Sequence, residues 1–252
     1  MSPELHPVAA VGFGRAADAY ERGRPGFPRE AVELVVDRLE LRPGRSVMDL
    51  AAGTGKFTAE LAPTGARVIA VEPVAAMRTS LAAALPSVST IGGVAEAIPL
   101  ADASVDAATA AQAFHWFEPD AAIAELHRVL RPDAGLALVW NVRDETVPLQ
   151  ASLTELMEPH RAGTPAHRGD AWRAVFDASD RFTSLERSSF RYEQRTTPQG
   201  VVDRVLSVSF IAALEPAEQG LVVERVRALV EGRREIVLPY RTDVWLAWRL
   251  GP

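Results

Sequence analysis

The sequence predicts an α/β fold, a doubly wound, mostly parallel sheet covered by helices on both faces. Two observations support this prediction. Short apolar segments alternate with segments of helical apolar spacing between residues 29 and 141. The short segments are mostly apolar, and the fifth, residues 135–140, is fully apolar, as in strands that are buried on both faces. Of the 252 residues, 48% are hydrophobic, so a sizeable core can form.

The regular elements are predicted in order along the first 141 residues. Strands are expected at residues 46–50, 67–71, 87–91, 105–111 and 135–140. Helices are expected at residues 29–40, 56–61, 75–84 and 119–130, and turns at 42–44 and 131–133. Pro28 suits the first turn of the first helix, and Pro86 ends the third.

The pattern is less regular after Asn141. Residues 142–180 are mixed and partly helical, 182–192 suit an edge strand, 201–214 and 215–232 suit helices, and 242–250 suit a last strand. We therefore predict one domain over residues 1–252. It comprises an N-terminal cap (1–28), a binding core (29–141) and helical inserts (142–180 and 193–240) that form a lid.

Composition and charge exclude several classes of function. The net charge of −6 provides no basic field for nucleic acid. The absence of cysteine excludes disulfides, thiolate metal sites and a thiolate nucleophile. No segment has the pattern of a signal peptide or the apolar length of a membrane span. The expectation is a cytoplasmic protein without nucleic-acid or membrane partners.

The segment Val-Met-Asp-Leu-Ala-Ala-Gly-Thr-Gly-Lys-Phe-Thr (47–58) reads as a strand, a glycine turn and the start of a helix. Such a turn lets the backbone approach a ligand beside helix N–H groups. A dinucleotide turn has a third glycine, but Thr58 stands there. Glu72, 19 residues after Gly53, suits a ribose diol, because 72 − 53 = 19. These features alone indicate a nucleoside-like ligand.

The pattern Asp49-x-Ala51-x-Gly53-x-Gly55 resembles the first motif of class I S-adenosylmethionine (SAM) dependent methyltransferases. Three further segments match this family in order and spacing: 71–77 (Val-Glu-Pro-Val-Ala-Ala-Met), 92–106 (Gly-Gly-Val-Ala-Glu-Ala-Ile-Pro-Leu-x5-Asp) and 130–136 (Leu-Arg-Pro-Asp-Ala-Gly-Leu). The resemblance covers residues 10–141. It is greatest to the small-molecule branch typified by ubiquinone/menaquinone-biosynthesis and trans-aconitate methyltransferases. The stretch 111–117 (Ala-Gln-Ala-Phe-His-Trp-Phe) is typical of one bacterial and fungal subgroup.

The resemblance implies a Rossmann-like sheet of seven strands, ordered 3-2-1-4-5-7-6 with the last strand antiparallel. It also implies SAM as cofactor and S-adenosyl-L-homocysteine as product. Many relatives have an acid at the position of Val94, so the adenine contact must come from elsewhere. The cofactor-binding residues expected by resemblance are Tyr20, Arg24, Asp49, Ala51, Gly53, Gly55, Glu72, Pro73, Met77, Ala95, Glu96 and Gln112. Met77 and Ile98 are expected to flank the adenine, Glu96 or the backbone near Ala95 to contact it, and Gln112 to line the methionine side.

Methyl transfer from an activated donor depends mainly on proximity and alignment, and a base is needed only for a protonated nucleophile. His115, just after the fourth strand, is the candidate base, or else a packing element under the cofactor. Trp116, Tyr240 and Arg241 are candidate substrate contacts. No metal site is predicted, since the fourth strand ends without a carboxylate. Five aromatic residues suit either an apolar pocket or the core: Trp172, Phe176, Phe210, Tyr240 and Trp245.

The sequence thus predicts SAM-dependent methylation of a small molecule at O, N or C, in secondary or quinone-like metabolism. Three alternatives stay open. The fold can use SAM in a non-methylating reaction, it can serve as a regulatory SAM-binding protein, or the chain can be a dehydrogenase. The sequence does not name the acceptor. It also does not decide between a monomer and a homodimer.

Overall fold

The computed structural model describes residues 22–161, 163–165 and 171–251. Its strands are β1 (Ser46–Leu50), β2 (Arg67–Val71), β3 (Ser89–Ile91), β4 (Val105–Ala111), β5 (Leu130–Arg143), β6 (Glu186–Thr196) and β7 (Ile236–Trp248). The described helices are α1 (Arg29–Arg38), α2 (Thr58–Leu61), α3 (Ala75–Ala84), α4 (Pro119–Val129), α5 (Pro148–Met157), α6 (Ala171–Ala178), α7 (Pro198–Leu206), α8 (Ser209–Ala212) and α9 (Pro216–Leu229).

All seven strands belong to one sheet, in the order β3-β2-β1-β4-β5-β7-β6. The pairs formed among β1 to β5 are all parallel, and β7 runs antiparallel to both β5 and β6. This confirms the predicted order and the antiparallel last strand. The carboxyl ends of β1, β2 and β4 consequently lie along one edge of the sheet, where α/β folds of this type bind ligands.

Apolar side chains cover both faces of the sheet. Every residue of β1 is buried, as is every residue of β4 except Ala111. In β5, Leu138 and Trp140 join the core on one face, while Ala137 and Val139 join the core on the other. The continuous apolar runs in the sequence reflect this double burial. A third cluster packs α5, α7, α8 and α9 against the first half of β7.

The start of β5 differs from the prediction. A turn was expected at residues 131–133, with the strand beginning at Gly135. Instead, Leu130 already pairs with Val105, and pairing resumes between Gly135 and Ala107. Residues 131–134 therefore form a bulge within the strand, in which Asp133 has a left-handed φ of 60°.

The last two strands begin and end elsewhere than predicted. They pair over eleven positions, from Glu186 opposite Leu246 to Thr196 opposite Ile236, so the length of each strand is set by the other. Pro239 precedes the predicted last strand (242–250) but lies within β7. The carbonyl of Pro239 accepts the N–H of Asp144, which lies just past the end of β5. Proline has no N–H to donate, and at this position β5 has ended, so no strand partner is left without a donor. Among the helices that the structure describes, none is long and apolar enough to cross a membrane.

Candidate functional site

A cavity with an empty volume of about 490 Å³ opens at the carboxyl ends of β1 and β4. Four residues that the sequence assigns to cofactor binding line it: Arg24, Asp49, Ala51 and Gln112. The other lining residues are Pro25, Phe27, Ala52, Lys56, Phe57, Ala111 and Arg204. The glycine motif and the end of β4 therefore border one space.

The turn after β1 has an unusual backbone. Ala51, Gly53 and Gly55 have left-handed φ values of 55°, 61° and 92°. Such a φ is uncommon for alanine, and strained backbone clusters at functional sites. At Gly55 a Cβ would lie 2.9 Å from Cγ of Leu81 on α3. Close packing of the turn on α3 therefore requires glycine at this position.

Asp49 lies at the cavity and is only 1% exposed. Its Oδ2 accepts a hydrogen bond of 2.6 Å from the Thr58 hydroxyl, and its Oδ1 accepts one of 2.8 Å from the Thr109 hydroxyl. Burial raises the pKa of Asp49 to about 6, and the two hydroxyls limit the rise. Thr58, where a dinucleotide turn has glycine, thus holds the carboxylate that borders the cavity.

Glu72 follows β2 and is 4% exposed. Its Oε2 accepts the N–H of Gly53 at 2.9 Å, and its Oε1 accepts the N–H of Val74 at 2.8 Å. Burial raises the pKa of Glu72, and these two N–H groups and the charge of Arg78 oppose the rise. An ionised carboxylate has about four acceptor sites, so Glu72 keeps capacity for two further donors.

The residues predicted beside an adenine do not line the cavity. Met77, Ala95 and Ile98 are buried in the protein, each 3% exposed. The carbonyl of Pro73 accepts a hydrogen bond from Arg78. The Glu96 carboxylate accepts the N–H of Glu118 at the start of α4, at 2.8 Å. In the described structure Glu96 therefore fixes the loop before α4.

Gln112 follows β4 with a left-handed φ of 59°. Its backbone N–H donates to the carbonyl of Val139 at 2.7 Å, and its side-chain amide lies 3.4 Å from the carbonyl of Asn141. A positive φ is uncommon for a residue with a side chain. The two hydrogen bonds to β5 hold Gln112 in this conformation.

His115 lies in a short 3-10 turn, Phe114–Trp116, after β4. The indole N–H of Trp140 donates to its Nδ1 at 3.4 Å. Because an indole N–H can only donate, the neutral ring carries its proton on Nε2. The ring centroids of His115 and Trp116 lie 5.4 Å apart, so the two candidate residues are neighbours.

The described end of the N-terminal cap packs against α7. Arg22 forms a 2.9 Å ion pair with Asp203, and a Cβ at Gly23 would collide with the backbone N of Arg204. Arg24 donates to the carbonyl of Ser207 at 2.9 Å while lining the cavity. The cap and α7 thus close one side of the cavity. Tyr20, predicted to bind the cofactor, lies outside the described residues.

The remaining candidate substrate residues lie apart from the cavity. Tyr240 is buried in the cluster of α5, α7, α8 and α9, and its hydroxyl accepts a 3.2 Å bond from Arg204. Arg241 lines a different cleft, where its guanidinium donates to the carboxylate of Asp243 at 2.9 Å. Of the five aromatic candidates, Trp172 and Phe176 are in the core over one sheet face, and Phe210 is in the cluster with Tyr240.

Several cavity residues were not predicted. Arg204 comes from α7, far along the chain, and no local motif marks it. Phe27 and Phe57 pack edge to face, with centroids 4.9 Å apart. The sequence did offer a reason to predict Lys56 at the site, since it is the only lysine of the chain and directly follows the glycine turn.

Comparison with known proteins identifies the class. The family described as "Methyltransferase domain" matches residues 48–138. An uncharacterized methyltransferase of Mycobacterium tuberculosis is 38% identical over 239 residues, covering 92% of this chain and 93% of that protein. A demethylmenaquinone methyltransferase of Beutenbergia cavernae is 36% identical over 156 residues, covering 60% and 65%. The fold and these matches define a class I methyltransferase. The chain belongs to the methyltransferase family.

Solved structures agree on the fold. The [4+2]-cyclase SpnF covers 100% of both chains with a TM-score of 0.61 and 15% identity. A phosphoethanolamine N-methyltransferase of Haemonchus contortus, solved with S-adenosylhomocysteine, has a TM-score of 0.58 and 13% identity. It covers 94% of this chain and 58% of that one. At these identities the likeness concerns the fold alone.

Proposed function

We propose that the protein is a SAM-dependent methyltransferase that acts on a small molecule and releases S-adenosyl-L-homocysteine. The observation that carries the proposal is the pair of buried carboxylates, Asp49 and Glu72, beside the left-handed glycine turn. Membership of the methyltransferase family supports it, as does the neighbour solved with S-adenosylhomocysteine.

The residues that line the cavity, together with Glu72 behind the glycine turn, fit a nucleoside that carries an amino-acid tail. The unused acceptor capacity of Glu72 suits two vicinal hydroxyls. Arg24, Lys56 and Arg204 suit a carboxylate, and Asp49 suits an ammonium group. A pyrophosphate at the start of α2 would meet the carboxylate of Asp49, which disfavours the dehydrogenase alternative.

When bound, SAM supplies a methyl group that is already activated on a sulfonium. The chain then has to hold and orient the reactants. In this proposal Glu72 accepts hydrogen bonds from the ribose, and Gln112 borders the methionine side. The family resemblance implies that Met77 and Ile98 flank the adenine, which requires this end of the site to open, since both residues are buried outside the cavity. Pro73, Ala95 and Glu96 complete that end of the site, as the family resemblance implies.

The proposal extends to the organisation of the chain. The cap (1–28) and the helical inserts (142–180 and 193–240) form a lid over the core (29–141), as the contacts of Arg22 and Arg24 with α7 and Ser207 support. The enzyme works in the cytoplasm on a small-molecule acceptor, as a monomer or homodimer. Quinone-like or secondary metabolites are the expected acceptors.

Transfer from methyl-labelled SAM to a fractionated metabolite extract tests the proposal. We expect label in a small-molecule fraction and S-adenosyl-L-homocysteine in equal amount. SAM binding without label transfer would contradict methyl transfer and favour a non-methylating or regulatory role. Binding of NAD in place of SAM would restore the dehydrogenase alternative.

We predict that His115 positions the acceptor through its Nε2–H and does not act as a base. His115→Gln keeps an amide donor, so its turnover should stay within about fivefold of the wild type, whereas His115→Ala should lose about tenfold. Turnover of both variants is compared at saturating SAM. A general base contributes about 10²- to 10⁴-fold. A loss of that size in both variants, with unchanged SAM affinity, would show that His115 is the base.

A further inference from the structure

Arg204 is a buried cation whose hydrogen-bond partners are both neutral. The residue is 7% exposed and lies on α7, where that helix borders the candidate cofactor cavity. Its Nε donates to the Tyr240 hydroxyl at 3.2 Å, and its Nη1 donates to the Ser207 hydroxyl at 3.4 Å. Among the residues that the structure describes, no carboxylate forms an ion pair with this guanidinium.

The carboxylates closest to Arg204 in the chain and around the cavity have other partners. Asp203, the preceding residue, accepts bonds from Arg22 at 2.9 Å and from Gln199 at 3.0 Å. Asp49 lines the same cavity, and its two oxygens accept bonds from threonine hydroxyls. Burying a charge is costly unless the charge is paired. An anionic ligand at Arg204 would therefore be stabilised by the charge that this helix places at the cavity.

The guanidinium is held in one orientation. The Tyr240 hydroxyl, which accepts the bond from Arg204, donates to Oε1 of Gln194 at 3.5 Å, and Nε2 of Gln194 donates to the carbonyl of Gly23 at 3.1 Å. The Ser207 hydroxyl donates to the carbonyl of Arg204 at 2.7 Å. Nη2 of Arg204 makes no bond to a described residue and stays accessible at the cavity. Fixed guanidinium donors suit a carboxylate.

The position of Arg204 in the chain indicates which ligand supplies this carboxylate. Arg204 belongs to the helical insert (193–240), whereas the cavity residues Arg24 and Lys56 belong to the cap and to the core. Segments carried by a common fold determine what a particular site accepts. The cations of the cap and the core therefore suit the tail of the cofactor, and the cation of the insert suits the acceptor.

We propose that the methyl acceptor carries a carboxylate, which Arg204 binds while Tyr240 positions the guanidinium. The inference rests on the proposed function and names the class of its acceptor, a small carboxylic acid that binds in its ionised form. Tyr240, expected from the sequence to contact the substrate, then acts on the acceptor through Arg204.

Label transfer from methyl-labelled SAM to two metabolite extracts tests the class of the acceptor. One extract is complete, and the other has passed over an anion exchanger that removes acidic metabolites. We expect most of the label transfer to be lost with the depleted extract and to return when the eluted acids are added back. Equal label transfer to both extracts would overturn the proposal while leaving methyl transfer itself established.

Calorimetric titration with benzoate, and with benzamide as its neutral analogue, tests the role of Arg204. The protein is first saturated with S-adenosyl-L-homocysteine. We expect the wild type to bind benzoate at least about tenfold more tightly than benzamide, because charged hydrogen bonds are lost in the amide. Arg204→Gln should weaken benzoate binding about tenfold, and Tyr240→Phe about threefold, since the phenylalanine variant keeps the charge. Both should leave benzamide binding unchanged. The matched control is Arg225→Gln, on an exposed residue of α9.

Unchanged affinity for S-adenosyl-L-homocysteine in both variants would show that they are folded. Equal binding of benzoate and benzamide by the wild type, or an equal loss in Arg225→Gln, would overturn the proposal. Weaker binding of S-adenosyl-L-homocysteine by Arg204→Gln, with benzoate binding unchanged, would place Arg204 on the tail of the cofactor and would also overturn it. Failure of the wild type both to bind S-adenosyl-L-homocysteine and to transfer label would instead contradict the proposed function.

Discussion

Replacing Glu72 with glutamine is expected to weaken SAM binding at least about tenfold and to lower the free energy of unfolding by about 1–3 kcal/mol. The carboxylate accepts the N–H groups of Gly53 and Val74 with different oxygens. A glutamine has one oxygen, so its NH₂ group would face one of these buried donors. The substitution also removes the charge that is proposed to hold the ribose hydroxyls.

Calorimetric titration with SAM and urea unfolding measure the two effects separately. Glu33→Gln is the control, because it makes the same chemical change on an exposed residue of α1. It should leave SAM affinity unchanged and alter stability by less than about 0.5 kcal/mol. Wild-type SAM affinity in a folded Glu72→Gln protein would contradict the proposed role of Glu72. Unchanged stability would show that the two backbone bonds do not depend on the carboxylate.

The fold could be predicted best where burial is continuous. The bounds of β1, β2, β4 and α3 were predicted correctly, because apolar runs and adjacent turn residues mark both ends. The bounds of β6 could not be predicted, since its partly exposed sequence, Glu-Arg-Ser-Ser-Phe-Arg-Tyr-Glu-Gln-Arg-Thr, has no apolar run. Its length is set by pairing with β7, a long-range interaction that local propensity does not encode.

At the candidate site, the sequence could indicate local residues but not their partners. Asp49, Ala51 and Gln112 could be predicted from motif position, and they line the cavity. The hydroxyl contacts that hold Asp49 depend on how α2 and β4 pack against β1. In the sequence, Thr58 in place of a third glycine indicated only that a dinucleotide was disfavoured. Arg204 reaches the cavity through the packing of α7, which no local pattern specifies.

Replacing Asp49 with asparagine is expected to remove a pH dependence of stability and to increase stability at pH 7. The folded-state pKa of about 6 lies above the ordinary value of 3.8, so the folded protein binds more protons than the unfolded chain between these values. The stability that Asp49 contributes is therefore fully present below about pH 4 and is lost as pH rises through 6. The difference in pKa corresponds to about 3 kcal/mol. Asparagine is neutral throughout and can still exchange hydrogen bonds with both threonine hydroxyls.

Urea unfolding of the wild type and Asp49→Asn between pH 4 and pH 7.5 measures this difference. The variant should gain up to about 3 kcal/mol relative to the wild type across this range, with most of the gain complete by pH 7. Subtracting the two curves removes the contributions of carboxylates that do not interact with Asp49. The charge of Asp49 also raises the pKa of Glu72, so the difference includes this coupling between the two carboxylates. Asp37→Asn, on an exposed residue of α1, is the control and should give a flat difference. A flat difference for Asp49→Asn would contradict a buried, desolvated carboxylate. Weaker SAM binding by the more stable variant would indicate that the charge on Asp49 is kept for the ligand at the expense of stability.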